Sequence, residues 1–275
     1  MFRILDKAVC FATSMAVCFT LMIASTASGE TLRIGGTGSA LGTMKQIVKA
    51  FIAEHPDSKI EVLPSLGSGG GLRALSAGSI GIALSARPLK DKEIAAGLEA
   101  KKYGTTAIAF AGNIALPAAN LTNEQLVEIY QSGDSHWPNG ERIRVVLRPE
   151  RETDTKLMKK FIPNMTSAID AARSIPGVPT AYNDQEIAEM LERIPGSLGT
   201  STLSLLLSEG RKLQVFSLNG VQPNRESIQD GSYPMTKEFY LVVPKSPTEI
   251  AKKMKAFVFS PKGAEILTKY GHLAG

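Results

Sequence analysis

Ser65-Leu66-Gly67-Ser68-Gly69-Gly70-Gly71-Leu72-Arg73-Ala74-Leu75-Ser76 is the stretch on which the reading of this chain turns. A strand-like run, Ile60 to Leu63, precedes it, and the spacing predicts a short helix from Leu72 to Ala77. A glycine-rich turn with one hydroxyl thus opens onto a helix N-terminus. The first N–H groups of a helix have no partner inside it, and they sit at the positive end of the macrodipole. Glycine lets a ligand approach that backbone closely, so the combination suits an anion. The run Leu32-Arg33-Ile34-Gly35-Gly36-Thr37-Gly38-Ser39-Ala40 has the same logic, with a helix expected from about Leu41. Together the two turns predict one anion held between two helix ends. The bland alternative is that both are ordinary strand-to-helix connectors. Neither run ends in the Gly-Lys-Ser/Thr of a P-loop, and Gly36-Thr37-Gly38 lacks the third glycine of a dinucleotide turn.

The N-terminus reads as a secretory signal over residues 1–27. Arg3 and Lys7 are followed by a run from Ala8 to Ala24 that is almost wholly apolar or small, and then by Ser25-Thr26-Ala27. That run is short for a membrane anchor and no positive charges follow it. Val17 before Cys18 argues against a lipoprotein. Cleavage near Ala27 to Gly29 leaves about 247 of the 275 residues. Both cysteines, Cys10 and Cys18, fall in the signal. The mature chain then has no disulfide, thiolate metal site or cysteine nucleophile. Losing Arg3, Asp6 and Lys7 takes the formal charge from +5 to +4. Such a balance favours small anions. Nucleic acid is not indicated, because no basic stripe is interleaved with aromatics.

Beyond the signal, strands and helices alternate. Leu41, Met44, Ile47, Val48, Phe51 and Ile52 fall at helical spacing, and Pro56 ends that helix. Asp91 to Lys101 is expected to be helical with Asp91 as N-cap. Thr122-x-x-Gln125 opens another helix as a capping-box variant, and Thr153 to Phe161 and Asn183 to Arg193 read as helices. Arg142 to Leu147 and Phe239 to Val243 read as strands. The alternation implies an α/β protein with mostly parallel sheets. At this length two lobes are expected rather than one oversized sheet.

Taken in order, Gly-Thr-Gly-Ser at 36–39, Gly-Ser-Gly-Gly-Gly at 67–71 and Ile82-Ala83-Leu84-Ser85-Ala86-Arg87-Pro88-Leu89 form a pattern. Leu121-Thr122-x-x-Gln125-Leu126-x-x-Ile129-Tyr130-x-x-Gly133, Trp137 and Arg144-Val145-Val146-Leu147-Arg148 continue it. In this the chain resembles the periplasmic phosphate-binding proteins of ABC importers, in the type II periplasmic binding protein family, over nearly its whole mature length. The resemblance implies an α/β, two-lobed type II fold with a cleft between lobes and two crossovers. Residues 30–109 plus 234–275 would form lobe one and 110–233 lobe two. It implies a monomer in the periplasm that binds phosphate or another small oxyanion, with no cofactor and no metal, and hands it to an importer permease. Carried over by position, the oxyanion ligands would be Gly38, Ser39 and Ala40, then Ser68, Gly69 and Gly70. Arg148 would clamp from the second lobe with paired, charge-assisted bonds, and Arg87 matches an arginine seen in many relatives.

Two departures bear on which anion is bound. Phosphate-specific members carry an aspartate where this chain has Ala86, and that carboxylate accepts the proton of hydrogen phosphate. The Ser-Gly-Thr expected after the arginine is replaced within Arg148-Pro149-Glu150-Arg151-Glu152-Thr153-Asp154-Thr155. Thr153 and Thr155 offer hydroxyls at the helix start. Asp154 is either a proton acceptor facing the ligand or a first-turn helix acid, and both readings stay open at this point. Trp137 reads as hinge-side packing before ligand contact. Asn183-Asp184-Gln185 and Gly199-Thr200-Ser201 read as helix caps before cleft residues. A secreted sensor or scavenger on the same fold is one alternative, and a secreted phosphatase-type hydrolase another. The enzyme reading has little support. His55, His136 and His272 have no metal-ligand spacing and read as surface residues, and Ser68 is not in Gly-x-Ser-x-Gly.

Overall fold

The computed structural model describes residues 31–275, so the expected signal sequence lies outside the described residues. The chain runs β1 (Leu32–Gly36), α1 (Gly38–Glu54), β2 (Ile60–Val62), α2 (Gly67–Ser76), β3 (Ile82–Ser85), α3 (Asp91–Ala95) and the long β4 (Leu98–Asn113). It continues through β5 (Asn120–Leu121), α4 (Asn123–Ser132), β6 (Arg144–Val145), α5 (Thr153–Phe161), α6 (Met165–Ser174), α7 (Asp184–Arg193), β7 (Ser197–Thr202) and α8 (Leu203–Glu209). Then come β8 (Leu213–Val215), β9 (Ser217–Leu218), α9 (Arg225–Gln229), β10 (Thr236–Pro244), α10 (Glu249–Val258), α11 (Pro261–Lys269) and β11 (Leu273–Ala274).

Strand β4 organises the whole. Up to Ala107 it pairs antiparallel with β10, and from Ile108 it pairs antiparallel with β7. One strand therefore serves two sheets, and its partner changes between adjacent residues. On the first side the order is β2-β1-β3-β10-β4, and on the second β4 is flanked by β7 and then β6, with β8 also on β4. Parallel pairing is confined to β2-β1-β3, β6-β7 and the small β5-β9 pair. The expectation of mostly parallel sheets is thus corrected. β4 leaves the first sheet and β10 re-enters it, so the two strands at the crossings run in opposite directions.

Each sheet is covered on both faces, which is why Thr106 to Gly112 form an unbroken buried run rather than an alternating one. On the first sheet, Ile34, Leu84 and Phe239 meet Leu41, Ile47 and Phe51 of α1 and Met254 of α10. Its other face packs Ala83 and Val242 against Leu72 and Leu75 of α2. In the second lobe Phe110, Leu126, Tyr130 and Phe216 form one core, and Val146, Ile187, Leu191 and Leu205 another. Trp137 is buried in the former, stacked on Phe216 at 4.8 Å, with its Nε1 donating to the Gly196 carbonyl at 3.1 Å.

Several element boundaries differ from expectation. Helix α2 starts at Gly67, not Leu72, so the glycines form its first turn instead of preceding it. A β-carbon on Gly71 would stand 2.7 Å from the Gly36 Cα, and this close approach of α2 to β1 requires glycine there. Helix α3 stops at Ala95 because Gly97 turns the chain at φ 79°, and Leu98 to Lys101 then pair with β10. Lys90, not Asp91, is its N-cap. The Thr122–Gln125 capping box is present as expected.

His272 is buried rather than on the surface. Its Nε2 lies 3.2 Å from the Thr43 hydroxyl and its ring stands edge-on to Phe239. Burial pushes its pKa from 6.5 down to about 3. The unfolded chain therefore takes the proton first, and stability is full above about pH 6.5 and declines as pH falls towards 3. By about pH 4.5 this group alone removes about 2–3 kcal/mol. Denaturant titrations at neutral pH and near pH 4.5 should show a smaller acid loss for His272→Gln than for the native chain. An equal loss in both would overturn this assignment.

Candidate functional site

A cavity of about 590 Å³ lies between the two halves of the chain. One wall is the first turn of α2, Gly67, Ser68, Gly69 and Gly70, with Ala86 and Arg87 from the loop after β3. The opposite wall carries Arg148 after β6, Glu152 and Thr153 at the start of α5, and Tyr182, Asn183 and Asp184 at the start of α7. Lys237 of β10 also reaches it. Four helix N-termini thus converge here, those of α2, α5 and α7 and, through its N-cap Thr37, that of α1, and they are not equivalent. Asp154 sits in the first turn of α5, and Asp184 and Glu186 in that of α7. These acids offset the positive ends of their own helices. Helix α2 has no acid in its first turn and no side-chain cap. The residues of that first turn line the cavity, so its N–H groups are open to a ligand, and α1 likewise has neither a first-turn acid nor a side-chain cap.

On the α2 wall, Ser68 Oγ accepts the Ala86 N–H at 2.9 Å, which orients the hydroxyl while leaving its proton free. The guanidinium of Arg73 folds back over the glycines, as helical side chains lean towards the N-terminus. Its Nη1 lies 3.5 Å from where a Gly69 β-carbon would be. Arg87 lines the cavity, but its guanidinium is held by Glu93 in two bonds of 2.8 and 2.7 Å. The Arg87 hydrogen bond in turn holds the Glu93 carboxyl down at about 2.

Arg148 is nearly fully buried. Its Nη1 donates to the Ala181 carbonyl at 3.1 Å, and its Nη2 lies 3.5 Å from both Asp184 Oδ1 and Glu152 Oε2. Its Nε has no partner. The Arg148 carbonyl accepts from Arg173 Nη2 at 2.6 Å and from Thr155 Oγ1 at 3.4 Å, so the backbone is fixed from behind. A buried N–H without a partner costs free energy.

At the floor, Lys237 Nζ lies 2.6 Å from Asp154 Oδ1, 3.8 Å from Asp184 Oδ1 and 3.4 Å from Ser39 Oγ. Burial works against the ammonium, but Asp154 and Asp184 outweigh it and raise its pKa. Burial likewise opposes the Asp154 carboxylate, and the charges of Lys237 and Arg148 outweigh that and lower its pKa.

Of the residues singled out by sequence, Ser68, Gly69, Gly70, Arg87, Arg148 and Thr153 line one cavity. Gly38, Ser39, Ala40, Asp154 and Thr155 do not. Ser39 and Ala40 are fully buried, and the Gly38 carbonyl accepts from Gln185 Nε2 at 3.0 Å. A β-carbon on Gly38 would meet Asp184 Oδ2 at 2.8 Å. The start of α1 therefore faces a carboxylate of this chain, which suits the positive end of that helix. Thr155 is occupied with the Arg148 carbonyl, and Asp154 is the counter-ion of Lys237. Sequence reading missed Lys237 and passed over Asp184 as a cap residue. Lys237 had a signal: in β10 it falls in phase with buried Phe239 and Leu241, so its side chain points inward.

Residues 24–262 match the family described as PBP superfamily domain. The chain belongs to that family. As a PBP superfamily member it is 25% identical over 257 residues to the phosphate-binding protein PstS of Bacillus subtilis (strain 168), covering 90% of this chain and 81% of that one. Its fold matches a substrate-binding protein from Clostridium perfringens solved with bound phosphate, at TM-score 0.74 and 21% identity, covering 90% of this chain and all of that one. An ABC-type phosphate transport receptor from Vibrio cholerae matches at TM-score 0.59 and 19% identity, over 88% and 99% of the two chains. The α/β, two-lobed type II periplasmic binding protein fold, with its cleft and two crossovers, follows from these likenesses.

Replacing Lys237 by Met should cost about 3–5 kcal/mol, because Asp154 is left buried without its counter-ion. Asp154→Asn in the same chain should recover part of that loss, and urea titration of the two variants reads it. With a lowered Asp154 and a raised Lys237, the pair's contribution holds through neutral pH. It fades as pH falls through and below the ordinary carboxylate range, and again as pH rises beyond the ordinary lysine value.

Proposed function

We propose that this protein is a periplasmic solute-binding protein that captures phosphate or a similar tetrahedral oxyanion and delivers it to an ABC importer permease. The observation that carries the reading is the buried, unpartnered Nε of Arg148 in a cleft whose other wall is the acid-free N-terminus of α2. An oxyanion there accepts N–H bonds from the first turn of α2, hydroxyl bonds from Ser68 and Thr153, and charge-assisted bonds from Arg148. The relatives named as phosphate-binding proteins support the ligand class. Each lobe supplies part of the shell, so ligand favours the closed arrangement through contacts that neither lobe makes alone. We assign lobe one to residues 30–109 and 234–275, lobe two to 110–233, and the working form to a monomer.

Glu152 and Asp184 on the cleft wall bear on the choice of anion. A carboxylate beside sulfate meets like-charge repulsion in a partly dry cleft, whereas hydrogen phosphate can place its own proton on the acceptor. Phosphate is therefore the first choice. Binding rather than catalysis is supported by the relatives, whose names are those of phosphate-binding and substrate-binding proteins. Among the described residues no group of His, Cys, Asp and Glu is placed to hold a metal.

Calorimetry of the ligand-free protein against phosphate, sulfate, molybdate and tungstate tests the reading, and phosphate should bind with the highest affinity. Silence across that panel together with turnover of a phosphate ester would reject it. Arg148→Gln should weaken phosphate binding by well over tenfold, since truncating a buried charged partner costs about 2–5 kcal/mol. Ser68→Ala should cost on the order of 1 kcal/mol. Loss of phosphate uptake in cells lacking the protein separates an importer subunit from a scavenger.

A further inference from the structure

We infer that the preferred ligand carries two phosphoryl groups, as in a diphosphate or an organic bisphosphate. One group sits against α2 and Arg148, and the second on a separate cationic rim. This rests on the oxyanion reading above and deepens it. Room is the first consideration. A cavity of about 590 Å³ falls in the range of roughly 300–1,000 Å³ that encloses solutes far larger than one phosphorus and four oxygens.

Charge is the second. Near the floor, Arg148 and Lys237 already face Asp154, Asp184 and Glu152, and Arg87 is held by Glu93. Further out the balance reverses. Arg73 and Lys156 line the same cavity with no carboxylate within 4.0 Å of their charged groups among the described residues, and Lys90 lines it beside Glu93, whose carboxylate Arg87 already holds. Arg151 has only Glu152, at 3.8 Å. Arg73 and Lys90 stand on the α2 side and Arg151 and Lys156 on the α5 side, so cations from both walls face one gap. Like charges across a gap repel. A single oxyanion bound by α2 and Arg148 makes no use of Arg151 or Lys156. A second phosphoryl group reaching out from the first neutralises them and draws the two walls together.

A cationic mouth also steers anions inward, but steering grows with ligand charge, acts on the association rate and is screened by salt, whereas a seated second phosphoryl group slows dissociation. The two roles therefore separate experimentally. The probes are orthophosphate, inorganic pyrophosphate, fructose 1,6-bisphosphate and glycerol 3-phosphate, titrated by calorimetry into the native protein and into the Arg151→Ala/Lys156→Ala double variant. At least one two-phosphoryl probe should bind about tenfold more tightly than orthophosphate and glycerol 3-phosphate. The double variant should lose about that factor for the two-phosphoryl probe while orthophosphate changes less than about twofold. The pyrophosphate and sugar bisphosphate arms tell an inorganic source from an organic one. Orthophosphate or glycerol 3-phosphate binding as tightly as both two-phosphoryl probes would overturn the inference and leave the oxyanion reading standing. Equal loss for all probes in the variant would reduce the rim to steering. No binding by any of the four would overturn the inference, and the oxyanion reading would then rest on sulfate, molybdate and tungstate alone.

Discussion

The buried ammonium of Lys237, held between Asp154 and Asp184, is the interaction on which the cleft depends. Lys237 belongs to β10 of the first sheet, and both carboxylates begin helices of the second lobe. Burying any one of these charges alone would cost several kcal/mol. The pair at 2.6 Å makes the burial tolerable, and it can form only if β10, α5 and α7 meet at one place. An ion pair of this kind is weak evidence for extra stability. It is strong evidence for a specified geometry, because each misplacement leaves a charge uncompensated.

That cluster also decides where a ligand anion can go. Asp184 reaches the start of α1, and the positive ends of α5 and α7 are met by their own acids. The N-terminus of α2 has no acid in its first turn, and there three consecutive glycines leave the backbone open and Gly71 lets the helix sit close on β1. Opposite it, Arg148 is locked by Ala181, by Asp184 and through its carbonyl by Arg173 and Thr155. The site is thus asymmetric: a flexible-looking glycine turn is a helix end seated on a sheet, and the arginine facing it is braced by its surroundings. The expectation of an anion shared by two glycine turns treated α1 and α2 as equals. Asp184 lies beside the start of α1, so the two helix ends differ in their surroundings.

β4 carries the mechanical side of the same arrangement. Its pairing, with one bulge at Phe239 and Tyr240, passes from β10 to β7 at Ala107 and Ile108, so the two sheets share a strand. The return crossing ahead of β10 then places Lys237 just beyond the handover, at the floor of the cleft.

The sequence alone determined much of the local structure. Amphipathic spacing placed α1, α5 and α7, the Thr122–Gln125 box set the start of α4, and the glycine turns marked helix ends that suit anions. These are short-range properties, written in residue spacing and in backbone groups that neighbours in sequence satisfy. The alternation and the ordered motifs also carried the two-lobed fold. Long-range charge pairing was decided only in the tertiary structure. Nothing near Asp154 in sequence says that its counter-ion lies on a strand eighty residues away. The pairing of Arg148 with Asp184, 36 residues on, is of the same kind. The antiparallel crossings, the burial of His272 and the closing of α1 by Asp184 have the same origin. Whether a charged group faces solvent, a ligand or an opposite charge depends on which elements pack around it. That is set by which distant segments of the chain meet, not by the order of residues within any one of them.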